Sequence, residues 1–358
     1  MTRIPWLSRQ RTLFIVMALV GLALGVRLIA LGQNYVVAND SVLYINMAKL
    51  FAAGDYHHEL FSERAYYAFF PLLIVAFYKV LGNWILAGQW VSVCLGSLTV
   101  IPLYLLARRL FDEQVALMGV VFYSICPQLV IYSAEVLRDI PFIFFYVTAL
   151  WLGYKGFKDN KIALVGLAGV SVGISASLRG EGLALLAVLA LFMVWYGVKG
   201  VVTWRRIATI SGVYLAIALF LVLSLGFLLS QRGIATGPAQ ISRAQDVLSS
   251  LENETVNDIE DEVAKSGLSK KAKNLLNLAV ENRFALYASR MLHNMIKVFT
   301  VPLFLLFLFG LCKRRKIAYR LDEFLLVAVY AIFVPVFFLA LNLTNYFATS
   351  HAFSLVVP

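Results

Sequence analysis

Apolar positions run through this chain in long uninterrupted blocks separated by short polar connections. Blocks of about 17 to 24 residues fall at 12–31, 84–107, 114–131, 139–156, 162–178, 182–198, 207–229, 295–312 and 322–343. A helix needs roughly 20 mostly apolar residues to cross a bilayer, so the pattern predicts about nine transmembrane helices. The run from Thr12 to Leu31 follows Arg3, Arg9 and Arg11 in the manner of a signal peptide, but it is too long for one. A retained first helix is expected, with Arg27 near its far end reaching out toward the surface.

The stretch from Ala68 to Leu81 is apolar but only fourteen residues long. Pro71 suits a first helical turn and Gly82 a C-terminal stop, which predicts a re-entrant or interfacial helix, a short tilted transmembrane helix being the alternative. Upstream, Asn39 and Asp40 can cap a helix carrying Val42, Leu43, Ile45, Met47, Leu50 and Phe51 and stopping at Gly54. This segment is expected to lie on the membrane as an amphipathic helix. Residues 230–294 are polar, with apolar positions such as Leu248, Leu251, Val256 and Ile259 spaced as on short helices.

Composition agrees: 61% of the residues are hydrophobic and 14% charged, against about 25% charged in soluble domains. A single membrane domain over 1–358 is expected, with 32–83 as its first outer loop and 230–294 as an outer helical loop. The final run through Leu355, Val356 and Val357 breaks off before it could span, so the sequence is expected to continue beyond Pro358.

The net charge of +11 does not predict nucleic-acid binding, because the basic residues sit in clusters between apolar blocks. Those clusters are Arg3, Arg9 and Arg11; Arg108 and Arg109; Lys155, Lys158 and Lys161; Lys199, Arg205 and Arg206; and Lys313 to Lys316 with Arg320. All fall on one side if the stretch 68–81 does not span. By the positive-inside rule that side is the cytoplasm, which puts the N-terminus inside and most acids outside. Cys94, Cys126 and Cys312 offer no disulfide or zinc spacing.

The predicted outer side gathers the candidate chemistry. Asp40 can be a general base for an acceptor hydroxyl or amine, or simply a helix cap. Glu135 and Asp139 stand four apart and would share a helix face if the turn continued, orienting an acceptor or a divalent cation; with Arg138 between them, an ion-pair or helix-start role is the alternative. Arg64, Arg179 and Lys79 suit contacts to a departing phosphate, or else lipid headgroups and ion pairs with Glu63 or Glu181. His57, His58 and Glu59 form the one compact His-acid group, but adjacent histidines are poorly spaced for one metal ion. No cofactor is required by these residues beyond that optional divalent cation.

In this order, Asn39-Asp40-Ser41-Val42-Leu43-Tyr44, Phe70-Pro71-Leu72, Tyr78-Lys79-Val80-Leu81-Gly82, Tyr104 to Phe111, Tyr132-Ser133-Ala134-Glu135 with Asp139, and Leu178-Arg179-Gly180-Glu181-Gly182 resemble the GT-C class of polyprenyl-phosphate-sugar-dependent glycosyltransferases. The likeness is to the bacterial relatives of protein O-mannosyltransferases and the aminoarabinose transferase, over roughly Arg27 to Leu186. It implies an all-α polytopic membrane bundle with interfacial helices in its first outer loop. It also implies a catalytic carboxylate at Asp40, a polyprenyl-phosphate-linked sugar donor and a protein, lipid or glycan acceptor. The setting would be the outer face of a bacterial or archaeal plasma membrane. This chain has Asn39-Asp40 where many relatives carry paired acids, and Phe70-Pro71-Leu72 where many have Pro-Pro-Leu, which leaves acceptor and metal dependence open. A lipid-linked-sugar flippase, with charges at mid-membrane and a repeat between halves, and a polysaccharide polymerase or ligase, with its arginines in 230–294, are the competing classes.

Overall fold

A computed structural model of the chain describes residues 9–33, 39–56, 69–111 and 113–230. All belong to one compact unit. The apolar blocks at 295–312 and 322–343, the segment 231–294, and Arg64, His57, His58 and Glu59 lie outside the described residues.

Within them the chain is helical, in the order α1 (Arg9–Gln33), α2 (Asn39–Ala53), α3 (Phe69–Leu81), α4 (Trp84–Leu98), α5 (Val100–Leu110), α6 (Glu113–Ile125), α7 (Pro127–Ala134), α8 (Asp139–Lys158), α9 (Ile162–Leu178), a 3₁₀ turn (Gly180–Leu183), α10 (Ala184–Val198) and α11 (Trp204–Ser230). Four stretches are long and apolar enough to cross a membrane: Thr12–Gln33, Trp84–Leu110, Asp139–Lys158 and Trp204–Ser224. A fifth is the pair α6 and α7, bent by 49°. The protein is therefore an integral membrane protein. Helices α9 and α10 are shorter, at 17 and 15 residues.

Helix α3 has 13 residues, about 20 Å at 1.5 Å per residue, well short of a hydrocarbon core of about 30 Å. Gly82 ends it at φ +66°, with its N–H on the Tyr78 carbonyl, as the Gly82 stop predicts. Helix α2 ends likewise at Gly54, φ +75°. Of the apolar positions expected to meet lipid, Ile45, Met47 and Phe51 are instead buried against protein along with Tyr44 and Ala48, Leu43 and Leu50 are half-buried, and Val42 is exposed. Tyr44 meets Phe70 of α3 edge to face at 5.1 Å.

Proline sets the irregularities. Pro102 has no N–H for the preceding turn, yet Thr99 carries the α4–α5 span through, giving its N–H to Leu95 and accepting from Leu103. Pro127 starts α7 after Cys126, and there the chain bends. Charge-pattern and length alone did not predict this bend.

Arg27 departs from expectation most plainly. It does not reach the surface but is fully buried. Its Nε donates to Ser133 Oγ at 3.0 Å and Nη1 to the carbonyls of Ala23 (3.1 Å) and Ser124 (3.5 Å), while the guanidinium lies 5.0 Å from the Tyr123 ring. The Ser124 carbonyl sits at the α6–α7 bend, where the helix ladder is interrupted. Satisfying such groups internally costs less than dragging a charge past lipid tails.

Close packing elsewhere relies on small residues, as expected where lipid offers no hydrophobic drive for helix association. Gly166, Gly169 and Gly173 of α9 face α11; a Cβ on Gly169 would stand 2.9 Å from the Tyr214 carbonyl oxygen and 3.2 Å from Ile217 Cβ. Gly169→Leu should therefore destabilise the bundle by about 1–3 kcal/mol, read as a lowered thermal midpoint in detergent. Gly212→Ala, with nothing within 4 Å of the new carbon, should not lower it. Equal midpoints for the two variants would contradict this packing.

Candidate active site

The candidate residues come from distant parts of the chain, and one apolar cluster brings their neighbours together. Tyr44 and Ile45 of α2, Phe70 and Ile74 of α3, Ala87 and Val91 of α4, Val136 between α7 and α8, Phe142 of α8 and Leu178 of α9 form a single buried core. Asp40 lies one helical turn before Tyr44, Glu135 precedes Val136, Asp139 lies three residues before Phe142, and Arg179 follows Leu178. Tyr78, next to Lys79, packs on the same cluster and stacks on Trp84 at 3.5 Å. The segments that carry these residues thus pack around one cluster.

Asp40 occupies the first turn of α2 and is exposed. A carboxylate there lies beside free helix N–H groups, which favours it electrostatically, and it stays open to solvent. Lys79, exposed in the last turn of α3, has the complementary position for a cation.

Glu135 and Asp139 do not share a helix face. Glu135 closes α7 with extended backbone, φ −99° and ψ 160°, and α8 begins only at Asp139. The intervening carbonyls are satisfied from α4: Gln89 Nε2 donates to Ala134 O at 2.9 Å and Ser92 Oγ to Leu137 O at 3.1 Å. A Cβ on Gly88 would overlap Val136, so α4 approaches this connection closely. Glu135 is half-buried, and burial raises its carboxyl above the ordinary value of 4.5.

Asp139 forms an ion pair with Arg179, forty positions away, and each side chain keeps 31% of its exposure. The Arg179 guanidinium also lies 5.9 Å from the Phe142 ring. Arg138, next to Asp139, donates to the Leu178 carbonyl at 3.0 Å. Two arginines thereby lock the start of α8 to the end of α9. The sequence signals for this were present as separate charged turns, but nothing in their spacing pairs Asp139 with Arg179 rather than with a neighbour. The side chain of Glu181, the expected alternative partner, lies outside the described residues.

Among the described residues no three His, Cys, Asp or Glu side chains group closely enough to hold a metal ion. Asp40, Glu135 and Asp139 therefore do not constitute a metal site by themselves, and no chemical step is assigned to one.

Residues 68–227 match the profile of the dolichyl-phosphate-mannose-protein mannosyltransferase family. The folded chain is similar to the oligosaccharyltransferase of Archaeoglobus fulgidus. In the apo form of that protein the TM-score is 0.52 at 17% identity, covering 68% of this chain and 34% of that one. In its complex with zinc and sulfate the values are 0.55, 18%, 94% and 48%. The architecture is GT-C. A third structure, the archaeal enzyme with an inhibitory peptide and a dolichol phosphate, gives 0.50 at 18% identity over 81% of this chain and 39% of that one. The chain spans a third to a half of the length of these GT-C structures, and at such identity the likeness concerns the fold. No curated protein matches the chain in sequence.

The raised Glu135 carboxyl has a direct consequence. With a folded value above the unfolded one, its contribution to stability is complete below the ordinary carboxylate range and is lost as pH rises through the folded value. Glu135→Gln mimics the protonated form, so its thermal midpoint at pH 7 should equal or exceed that of the parent, with a flatter profile as pH rises above 4.5. A lower midpoint at pH 7 would show that the ionised carboxylate is needed for the fold.

Proposed function

We propose that this membrane domain transfers a sugar from a polyprenyl-phosphate donor to an acceptor hydroxyl or amine. The observation that supports the reading is the ion pair between Asp139 and Arg179 in a GT-C fold where the sequence neighbours of Asp40, Lys79, Glu135 and this pair pack into one buried cluster. The family profile over 68–227, named for a dolichyl-phosphate-mannose donor, and the archaeal relative in complex with a dolichol phosphate support a lipid-phosphate donor.

In this mechanism Asp40 accepts the proton of the acceptor as its oxygen or nitrogen attacks the anomeric carbon. The bond between that carbon and the donor's phosphate oxygen breaks, the electron pair leaves with the lipid phosphate, and the sugar inverts. Arg179, Lys79 and Arg64 stabilise the departing phosphate, which needs positive charge more than it needs an acid. Asp139 holds Arg179 in place for this while Glu135 orients the acceptor. Pairing with Asp139 does not exhaust a guanidinium that has five donors.

The basic clusters at the other end of the described helices support an orientation with that end and the N-terminus in the cytoplasm. The reacting end then opens to the outer side of a bacterial or archaeal plasma membrane. Protein, lipid and glycan acceptors all present the hydroxyl or amine this chemistry requires.

Full-length protein in membranes from its source, supplied with a radiolabelled polyprenyl-phosphate sugar, should transfer label to an acceptor. Asp40→Asn should lower the rate by about 10²–10⁴-fold, the usual worth of a positioned base, while donor binding is retained. Transfer unchanged in Asp40→Asn would remove Asp40 from the mechanism, and retained donor binding without transfer by the parent chain would favour a flippase.

A further inference from the structure

The end of the bundle remote from the Asp139–Arg179 pair carries a second charged surface that sugar transfer does not use. Lys155 and Lys158 lie in the last turn of α8, Lys199 directly follows α10, and Arg205 and Arg206 open α11. Side-chain contacts tie these ends together. Lys158 Nζ donates to the Tyr196 hydroxyl at 3.0 Å, Arg206 Nη2 donates to the Phe157 carbonyl at 2.7 Å, and a Cβ on Gly197 would stand 3.1 Å from the Trp204 ring.

Cations at a helix C-terminus often do no more than offset its dipole. Here they exceed what the helix ends require. Residues 151–161 and 195–206 hold six cations, with Lys161 on the loop after α8, and a single acid, Asp159, which pairs with Arg109 at 3.8 Å. Two helix C-termini supply only about half a negative charge each, so the surface keeps several positive charges.

The aromatic neighbours indicate what those charges meet. Lys155 lies 5.1 Å from the Trp151 ring and Lys199 4.6 Å from the Trp195 ring, each tryptophan one turn back on the same helix. Tryptophan at such a position belongs to the water-lipid boundary. Val198, Val201 and Trp204 beside the cations are 66%, 55% and 56% exposed, which suits acyl chains and not a nucleic acid. Arg206 is half-buried, and its Nε is buried with no hydrogen-bond partner among the described residues.

We propose that the cations at the ends of α8, α10 and α11 bind the phosphate headgroup of an anionic phospholipid, with its chains against the exposed apolar residues beside them. In the orientation above, this lipid belongs to the cytoplasmic leaflet. The site does not depend on the transfer reaction being correctly assigned.

Native mass spectrometry of the delipidated full-length protein, titrated with phosphatidylglycerol, phosphatidylcholine or inorganic phosphate, tests this. Phosphatidylglycerol should bind in preference to phosphatidylcholine. Neutralising Lys155, Lys199 and Arg205 together to Gln should weaken it by about a hundredfold, from roughly fivefold per cation near a membrane surface. Arg205→Gln alone, at an exposed position, should weaken it about fivefold and covers the case in which the triple variant does not fold. Lys155→Arg with Lys199→Arg should bind as the parent does, and so should Lys49→Gln on α2. Unchanged binding in Arg205→Gln and the triple variant would overturn the proposal. So would equal binding of phosphatidylcholine, or displacement of the lipid by inorganic phosphate, which would mark a free-phosphate site.

Discussion

The site depends on one packing arrangement, the seating of α2 and α3 against the connection between α7 and α8. Tyr44 on Phe70, and both within the cluster that includes Val136, Phe142 and Leu178, hold two short helices to the ends of longer ones. Neither short helix could keep that position by spanning the bilayer, since 15 and 13 residues are too few. Their place is set by side-chain contact, and with it the places of Asp40 and Lys79 relative to Glu135 and the Asp139–Arg179 pair.

The connection from Glu135 to Arg138 gives up helical hydrogen bonding, and a membrane environment makes that expensive unless other groups step in. Gln89 and Ser92 from α4 take the Ala134 and Leu137 carbonyls, and Arg138 in turn takes the Leu178 carbonyl. One turn further inside, Arg27 does similar work at the bend before α7, through Ser133 and the Ser124 carbonyl. Polar side chains buried among these helices thus hold an irregular backbone at the end where charged residues collect. Regular helix would have been cheaper there, and it would have projected Glu135 elsewhere.

Much of this was legible in the sequence, for physical reasons that can be named. A long apolar block becomes a helix whatever its neighbours do, so the described stretches from 12–31 to 207–229 appear where the pattern puts them, and Gly54 and Gly82 stop α2 and α3. Partner choice was not legible. Arg27 could equally have reached outward, and its burial depends on Ser133, more than a hundred positions away. The helix face expected for Glu135 and Asp139 failed because the chain leaves the helix at Glu135 and resumes only at Asp139, with Pro141 offering no N–H to the Leu137 carbonyl and Ser92 of α4 taking it instead. For Asp139 and Arg179 the residues were identified but their bond was not, because the fold alone makes them neighbours.

The central claim is that the ends carrying Asp40, Glu135, Asp139 and Arg179 face the outer side together, while the lysine-rich ends face the cytoplasm. In a full-length chain with Cys94, Cys126 and Cys312 replaced, single cysteines at Asp55, Glu135 and Lys161 can be labelled in intact cells with a membrane-impermeant maleimide. Cysteines at 55 and 135 should react without permeabilisation, and the one at 161 only after it. Labelling of positions 55 and 135 from opposite sides, or of both from the cytoplasm alone, would contradict the account.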